Sequence, residues 1–167
     1  IKWTNDPSKL CVFWMNRHQN HLELLLANAT TGKTSAMFQE DNKYYVDIHD
    51  NLTFLSDGNG FIWTSEKDGF NHIYLYNMDG TLQRQLTSGS WEVTEFYGVD
   101  EKNKLIYFQA DTKSPLEREI YSIDLDGKDQ KVIRDDQGTN SAEFSTTFDL
   151  FVLTHADINT APTYSVN

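Results

Sequence analysis

One cysteine in 167 residues, Cys11, rules out an internal disulfide and a multi-cysteine zinc site, and it leaves the redox compartment unreadable from cysteine usage. Basic clusters are missing as well. Fourteen Lys and Arg stand against 25 Asp and Glu, a formal net charge of -11 that would repel a phosphate backbone or an anionic membrane surface at long range. This argues against nucleic acid as a partner. No apolar run approaches the roughly 18 residues of a membrane-spanning helix. No window keeps apolar residues at three- and four-residue spacing for more than about two turns, so long helices are not expected. Prolines occur only at Pro7, Pro115 and Pro162. The opening Ile1-Lys2-Trp3-Thr4 has neither the charged nor the apolar region of a signal peptide and does not read as a native start.

What is present is a β-rich repeat. Hydrophobic residues make up 38% and aromatic residues 13% of the chain, enough apolar surface for a folded core. The clearest stretch runs from Phe54 to Thr87. Ser56-Asp57-Gly58-Asn59-Gly60 is a turn cluster, Phe61-Ile62-Trp63-Thr64 a β-branched and aromatic run, and Glu66-Lys67-Asp68-Gly69 a second turn. Ile73-Tyr74-Leu75-Tyr76 resumes the strand pattern, Asn77-Met78-Asp79-Gly80 closes a hairpin, and Leu82 to Leu86 returns.

Laid against itself, the chain repeats. Ile62-Trp63-Thr64-Ser65 corresponds to Ile106-Tyr107-Phe108-Gln109, and the segment Ile73 to Gly80 corresponds to Ile120 to Gly127, at offsets of about 44 and 47 residues. Val12 to Asn16 and Leu22 to Asn28 fill the same slots upstream, and Leu150 to Thr154 and Thr163 to Val166 fill them downstream. Pro115 and Pro162 fall in equivalent loops between second and third strands, where a lost strand hydrogen bond costs nothing. The expectation is an all-β fold, a partial β-propeller of about three and a half four-stranded antiparallel blades, with units near 10–50, 51–97, 98–144 and a partial 145–167. Stretches such as Val93 to Tyr97 and Ala142 to Ser145 read as linking strands. Closed propellers typically have 4 to 8 blades. The chain is therefore expected to be a piece of a longer protein, or an open half ring that closes by pairing with a second copy as a homodimer.

The chemistry-bearing residues give few leads. A serine hydrolase elbow, Gly-x-Ser-x-Gly, occurs nowhere, and Ser88-Gly89-Ser90-Trp91 reads as a turn, so no catalytic residue is expected. His18 and His21 stand three apart, but a strand-loop-strand context does not bring their side chains together, and the five histidines read as loop residues and a surface pair. In Asp124-Leu125-Asp126-Gly127 the glycine comes too early for a calcium loop and the closing glutamate is missing. Neither a metal nor a cofactor is expected. Trp63, Tyr74, Tyr76, Trp91, Tyr107 and Tyr121, at equivalent positions in successive units, read as packing between blades and not as a ligand platform. The acidic turns at Glu66 to Asp68 and Asp135-Asp136 read as solvated and edge-protecting. Asn28-Ala29-Thr30 and Asn51-Leu52-Thr53 match the glycosylation acceptor pattern, which acts only in a glycosylating source.

Three groups of residues carry a family resemblance: Phe54 to Phe61 (Phe-x-x-Asp-Gly-x-x-Phe), Glu66 to Tyr74, and Leu86-Thr87-x-Gly89-x-Trp91-Glu92-Val93. With Val12 to Asn20 and Lys104 to Phe108, they resemble the β-propeller of the dipeptidyl peptidase IV family, serine peptidases of the prolyl oligopeptidase superfamily. The resemblance spans nearly the whole chain. It implies a parent protein in which a propeller shapes the cavity and filters substrate, and a C-terminal α/β-hydrolase domain, absent from this chain, holds a Ser-His-Asp triad. The family's Glu-Glu anchor for the substrate N-terminus has no counterpart here, because two adjacent glutamates occur nowhere. The implied activity of the parent is removal of X-Pro or X-Ala dipeptides from peptide N-termini, in the periplasm or outside the cell. Tyr44 to Asp50 precedes the central blade and, by the resemblance, approaches the family's substrate-facing loop region, with Asp47 and His49 as its candidate side chains. The competing expectation is a non-catalytic propeller resembling TolB that scaffolds cell-envelope proteins.

Overall fold

The computed structural model describes residues 1–167 and contains strands and turns but no helix. The first sheet is a meander of β1 (Lys2–Trp3), β2 (Lys9–Met15), β3 (His21–Asn28) and β4 (Thr34–Asp41). The second holds β5 (Thr53–Phe54), β6 (Gly60–Ser65), β7 (His72–Asn77) and β8 (Leu82–Gln85). The third holds β9 (Val93–Asp100), β10 (Leu105–Ala110), β11 (Glu119–Asp124) and β12 (Lys131–Arg134). The fourth has β13 (Thr139–Phe144), β14 (Phe151–Ala156) and β15 (Thr163–Val166). Three four-stranded antiparallel meanders followed by a three-stranded one are the make-up of a partial β-propeller of about three and a half blades.

Position within each meander sets the residue pattern. Three of the middle strands, β6, β7 and β11, are covered on both faces, and their sequences are near-continuous apolar runs with few polar residues. All six residues of β6, Gly-Phe-Ile-Trp-Thr-Ser, are buried, as are the first five of β7 and of β11. The last strands carry the exposed edge: Leu82-Gln83-Arg84-Gln85, Lys131-Val132-Ile133-Arg134 and Thr163-Tyr164-Ser165-Val166 are almost wholly open to solvent. Arg and Lys on the first two of these edges disfavour pairing with a stray strand. A register shift where Tyr107 and Phe108 of β10 pair with Gly98 and Phe96 of β9 leaves Tyr97 bulged, and its hydroxyl accepts the Ala142 N–H at 3.1 Å.

The chain divides into two compact units, Ile1–Lys67 with Tyr74–Arg84, and Asp68–Ile73 with Gln85–Asn167. The core of the first gathers Cys11, Leu22, Leu24, Met37, Phe38, Val46, Leu52, Phe54, Phe61, Trp63, Tyr74 and Tyr76. Its aromatic rings interlock, with Phe61 stacked on Tyr76 at 5.4 Å and Phe38 meeting Tyr76 edge-on at 4.7 Å. The second unit is centred on Ile120, Ala142 and Leu153, with Tyr97, Phe144 and Phe151 against them. Trp63, Tyr74, Tyr76 and Tyr121 lie in the buried interior, while Trp91 and Tyr107 are half-buried and stack on Phe108 and Phe148.

The Asp-Gly hairpins form where the turn chemistry places them. The Gly80 N–H donates to the Asn77 carbonyl at 2.9 Å with the glycine at φ +80, and Gly127 repeats this with Asp124 at φ +68. A Cβ on Gly80 would lie 2.1 Å from the Met37 carbonyl oxygen, a backbone atom that cannot yield. Gly80→Ala is therefore expected to destabilise the first unit by about 2 to 4 kcal/mol, the left-handed penalty plus overpacking, read as a lower urea midpoint.

One expectation needs correction. His72, read as a loop histidine, is the first residue of β7 and is fully buried. Its Nε2–H donates to the Gly89 carbonyl at 3.2 Å, and its Nδ1 lies 3.1 Å from the Thr87 hydroxyl, so the ring is a satisfied core group. His21 and His155 are strand residues as well, in β3 and β14.

Candidate functional site

Alternation along β2 turns Cys11, Phe13 and Met15 to one face and Val12 and Trp14 to the other. Phe13 and Met15 join Leu22 of β3, Trp63 of β6 and residues 47–49 of the loop after β4 around a cavity of about 180 Å³. Pockets for drug-sized ligands run to roughly 300–1,000 Å³, so this one suits a single side chain or a similar small group. Its walls are apolar, and its polar groups are Asp47 and His49, the two candidates from the sequence, which the fold brings to the same opening.

The loop is tied at its start and at its middle. Asn42 donates its N–H to the Asn20 carbonyl at 3.0 Å, the Asn42 side chain accepts the Tyr44 N–H at 2.9 Å, and the Val46 N–H donates to the Gln19 carbonyl at 2.8 Å. Val46 is buried in the core, which pins the middle of the loop and leaves Tyr44 and Ile48 outside at 78% and 62% exposure. The loop therefore presents apolar side chains to solvent while its backbone stays anchored.

Asp47 and His49 sit differently. Asp47 is exposed, and its Oδ1 accepts the Ile48 N–H at 2.9 Å. The His49 ring lies 4.2 Å from that of Trp63. Its Nε2–H donates to the Thr64 carbonyl at 2.9 Å, and its Nδ1 faces the Asn51 N–H at 3.3 Å. Both nitrogens are engaged, so His49 is not a free acid or base. Burial pushes its pKa down, more strongly than the Thr64 carbonyl bond and the carboxylates of Glu40, Asp47 and Asp50 push it up. A second proton, on Nδ1, would face the Asn51 N–H.

A group whose folded pKa is depressed contributes stability that is present above its unfolded value of about 6.5 and is lost as pH falls through the folded pKa. The stability difference between the wild type and His49→Gln is accordingly expected to shrink as pH falls from 7 towards 5. Paired urea titrations at several pH values check this.

Glu40, which the sequence reading did not single out, braces the wall. Its Oε2 accepts the Trp63 indole N–H at 2.7 Å, and its Oε1 accepts a short hydrogen bond from the Ser65 hydroxyl. Beyond it, the Lys67 ammonium lies 4.0 Å above the Tyr74 ring and 2.8 Å from the Tyr76 hydroxyl. The Tyr76 phenol is pushed up by burial and by the Glu40 charge. His21, one of the two histidines weighed as metal ligands, holds Asp41 at 2.6 Å and Glu23 at 3.0 Å. No nucleophile stands beside a free base around the opening; the arrangement can recognise shape and charge.

A repeated four-stranded meander with a tied, apolar-faced loop places the chain among propeller domains. It belongs to the family described as the dipeptidyl peptidase IV N-terminal region, which it matches over residues 1–162. The crystal structure of Porphyromonas gingivalis dipeptidyl peptidase 4 is similar over 98% of this chain and 23% of its own, with a TM-score of 0.90 and 36% sequence identity. Dipeptidyl peptidase 4 of Arthroderma otae is 32% identical over 140 residues, 83% of this chain. Inactive dipeptidyl peptidase 10 of Mus musculus is 31% identical over 137 residues, 76% of this chain. The chain spans 15% of the length of the fungal relative and 17% of that of the mouse relative.

Proposed function

We propose that this chain is the substrate-positioning part of the propeller in a dipeptidyl-peptidase-IV-like serine exopeptidase. It gates peptides by size and presents them to an α/β-hydrolase domain carried elsewhere in a longer protein. Peptides with Pro or Ala in the second position are the substrates, and the periplasm or the cell exterior is the place of action. The observation that carries this reading is the likeness to the Porphyromonas gingivalis enzyme over 98% of the chain. The cavity supports it: apolar walls with an exposed carboxylate at Asp47 suit a peptide side chain, and the engaged ring of His49 suits binding more than proton transfer. Asp47 and His49 are proposed as substrate-facing side chains of this loop.

A second reading has an observation of its own. A relative named as inactive matches 76% of the chain, so this type of propeller also occurs where hydrolysis does not, and a binding scaffold of the TolB kind remains the alternative. Hydrolysis of a Gly-Pro chromogenic substrate separates the two. Activity in the longer protein, with none in residues 1–167 alone, supports the peptidase. A longer protein that is folded and inactive supports the scaffold.

A further inference from the structure

The strand pair that launches the 42–50 loop ends in an unusual polar lock. His21 and Asp41 are cross-strand partners at the end of the β3–β4 ladder. The His21 Nδ1 lies 2.6 Å from the Asp41 carboxylate and its Nε2 lies 3.0 Å from the Glu23 carboxylate. From β2, Trp14 meets the ring edge-on at 5.8 Å, so the groups facing His21 are a carboxylate from its own strand, a carboxylate from β4 and an indole from β2. The two residues before His21 supply the carbonyls that hold the loop, Asn20 for the Asn42 N–H and Gln19 for the Val46 N–H. Asn16 and Asn20 are bonded side chain to side chain at 2.8 Å, which closes the turn carrying both carbonyls.

We infer that His21 is a positioning residue: by bridging Glu23 and Asp41 through both ring nitrogens, it fixes the strand ends from which the 42–50 loop hangs, and so sets the opening that carries Asp47 and His49. The lock needs two ring N–H groups. When His21 gives its second proton to solvent, one nitrogen becomes a lone pair facing a carboxylate, and one bridge is lost with its charge attraction.

The two carboxylates raise the pKa of His21, Glu23 foremost and Asp41 next. A raised folded pKa means that the contribution is fully present below the unfolded value and is lost as pH rises through the folded one. His49, on the far side of the same loop, behaves in the opposite sense, because burial lowers its pKa. The loop therefore has a window, above the folded pKa of His49 and below that of His21, in which both anchors are made. The functional meaning rests on the substrate-facing reading of this loop, but the lock itself does not.

The test is amide exchange of Val46 and Asn42 in the 167-residue chain from pH 5 to 9, expressed as protection factors, alongside the NMR titration of the His21 ring. Protection of Val46 is expected to fall about threefold as His21 deprotonates, a modest change because exposed ion pairs are weak. His21→Gln should flatten that step, and Asp41→Asn should lower the His21 midpoint. Val46 protection that stays flat while His21 titrates in the wild type overturns the inference, and this outcome needs no variant to fold. In the longer protein, KM for a peptide should rise across the same transition with kcat unchanged. If only this last result fails, the lock stands and the substrate-facing reading is wrong.

Discussion

Trp63→Ala is expected to destabilise the first unit by about 4 kcal/mol, the upper range for removing a large aromatic side chain from a packed core. Trp63 is 1% exposed and reaches Phe13, Phe38 and His49 at ring distances of 6.1, 5.9 and 4.2 Å. Those neighbours come from β2, β4 and the loop, so the vacated space borders three segments that cannot collapse together. The change also strips the Glu40 carboxylate of its indole donor. Trp63→Phe separates the two losses: it keeps most of the apolar volume, removes the hydrogen bond, and should cost only about 1 to 2 kcal/mol. Urea unfolding followed by circular dichroism gives both numbers. A Phe variant as unstable as the Ala variant would move the energy from packing to the Glu40 bond.

Gly89→Ala is expected to destabilise the second unit by about 3 kcal/mol. Gly89 sits at φ +146, and an added Cβ would lie 2.1 Å from the Trp91 Nε1 and 2.5 Å from its Cδ1. Trp91 has little room to move away. It stacks on Phe108 at 6.3 Å with the rings 7° from parallel, and it meets the buried His72 edge-on at 4.9 Å. His72 in turn binds the Gly89 carbonyl and the Thr87 hydroxyl, and Thr87 accepts the Ile73 N–H at 2.9 Å. The substitution therefore strains the backbone and displaces a ring that packs against two others, Phe108 and His72. Ser88→Ala, one residue earlier and exposed, is the control and should change stability by less than about 0.5 kcal/mol.

That packing explains why the Leu-Thr-x-Gly-x-Trp string is legible in the sequence. Each of its fixed residues has a packing duty, and its chemistry is local in sequence. The Asp-Gly hairpins at Gly80 and Gly127 were legible for the same reason, since an i to i+3 bond with a left-handed glycine is written in four residues. The matching runs Ile62 to Ser65 and Ile106 to Gln109, with Ile73 to Gly80 and Ile120 to Gly127, announced an all-β repeat. Less could be read where a residue's role depends on distant strands. His72 resembles a turn residue by its neighbours Phe70 and Asn71, and only its burial under Trp91 shows it to be core. Val93 to Tyr97 reads as a linking strand, and it is one: β9 opens the third sheet and is tied back by the Val93 N–H to the Asn71 carbonyl at 2.8 Å, a bond to a residue 22 positions away that the local sequence does not announce.

The site was legible in part. Asp47 and His49 are named from the family resemblance of their loop, not from local chemistry, and the structure places both at one opening. The walls could not be named, because Phe13, Met15 and Leu22 lie more than 20 residues upstream and look like ordinary strand residues. Glu40 gave no signal either: an acidic residue near the end of a strand is usually solvated, and its role appears only once Trp63 and Ser65 are placed beside it.

The role proposed for this loop is to handle substrate for a catalytic domain elsewhere in the longer protein. Steady-state kinetics of that longer protein with Asp47→Ala and His49→Gln test it most directly, using a Gly-Pro chromogenic dipeptide and a peptide of about ten residues that begins Gly-Pro. The KM for the longer peptide is expected to rise about three- to tenfold, with kcat unchanged and little effect on the dipeptide, because uniform binding is lost without touching the reacting atoms. Wild-type KM values for both substrates in both variants, with the protein folded and active, would contradict it.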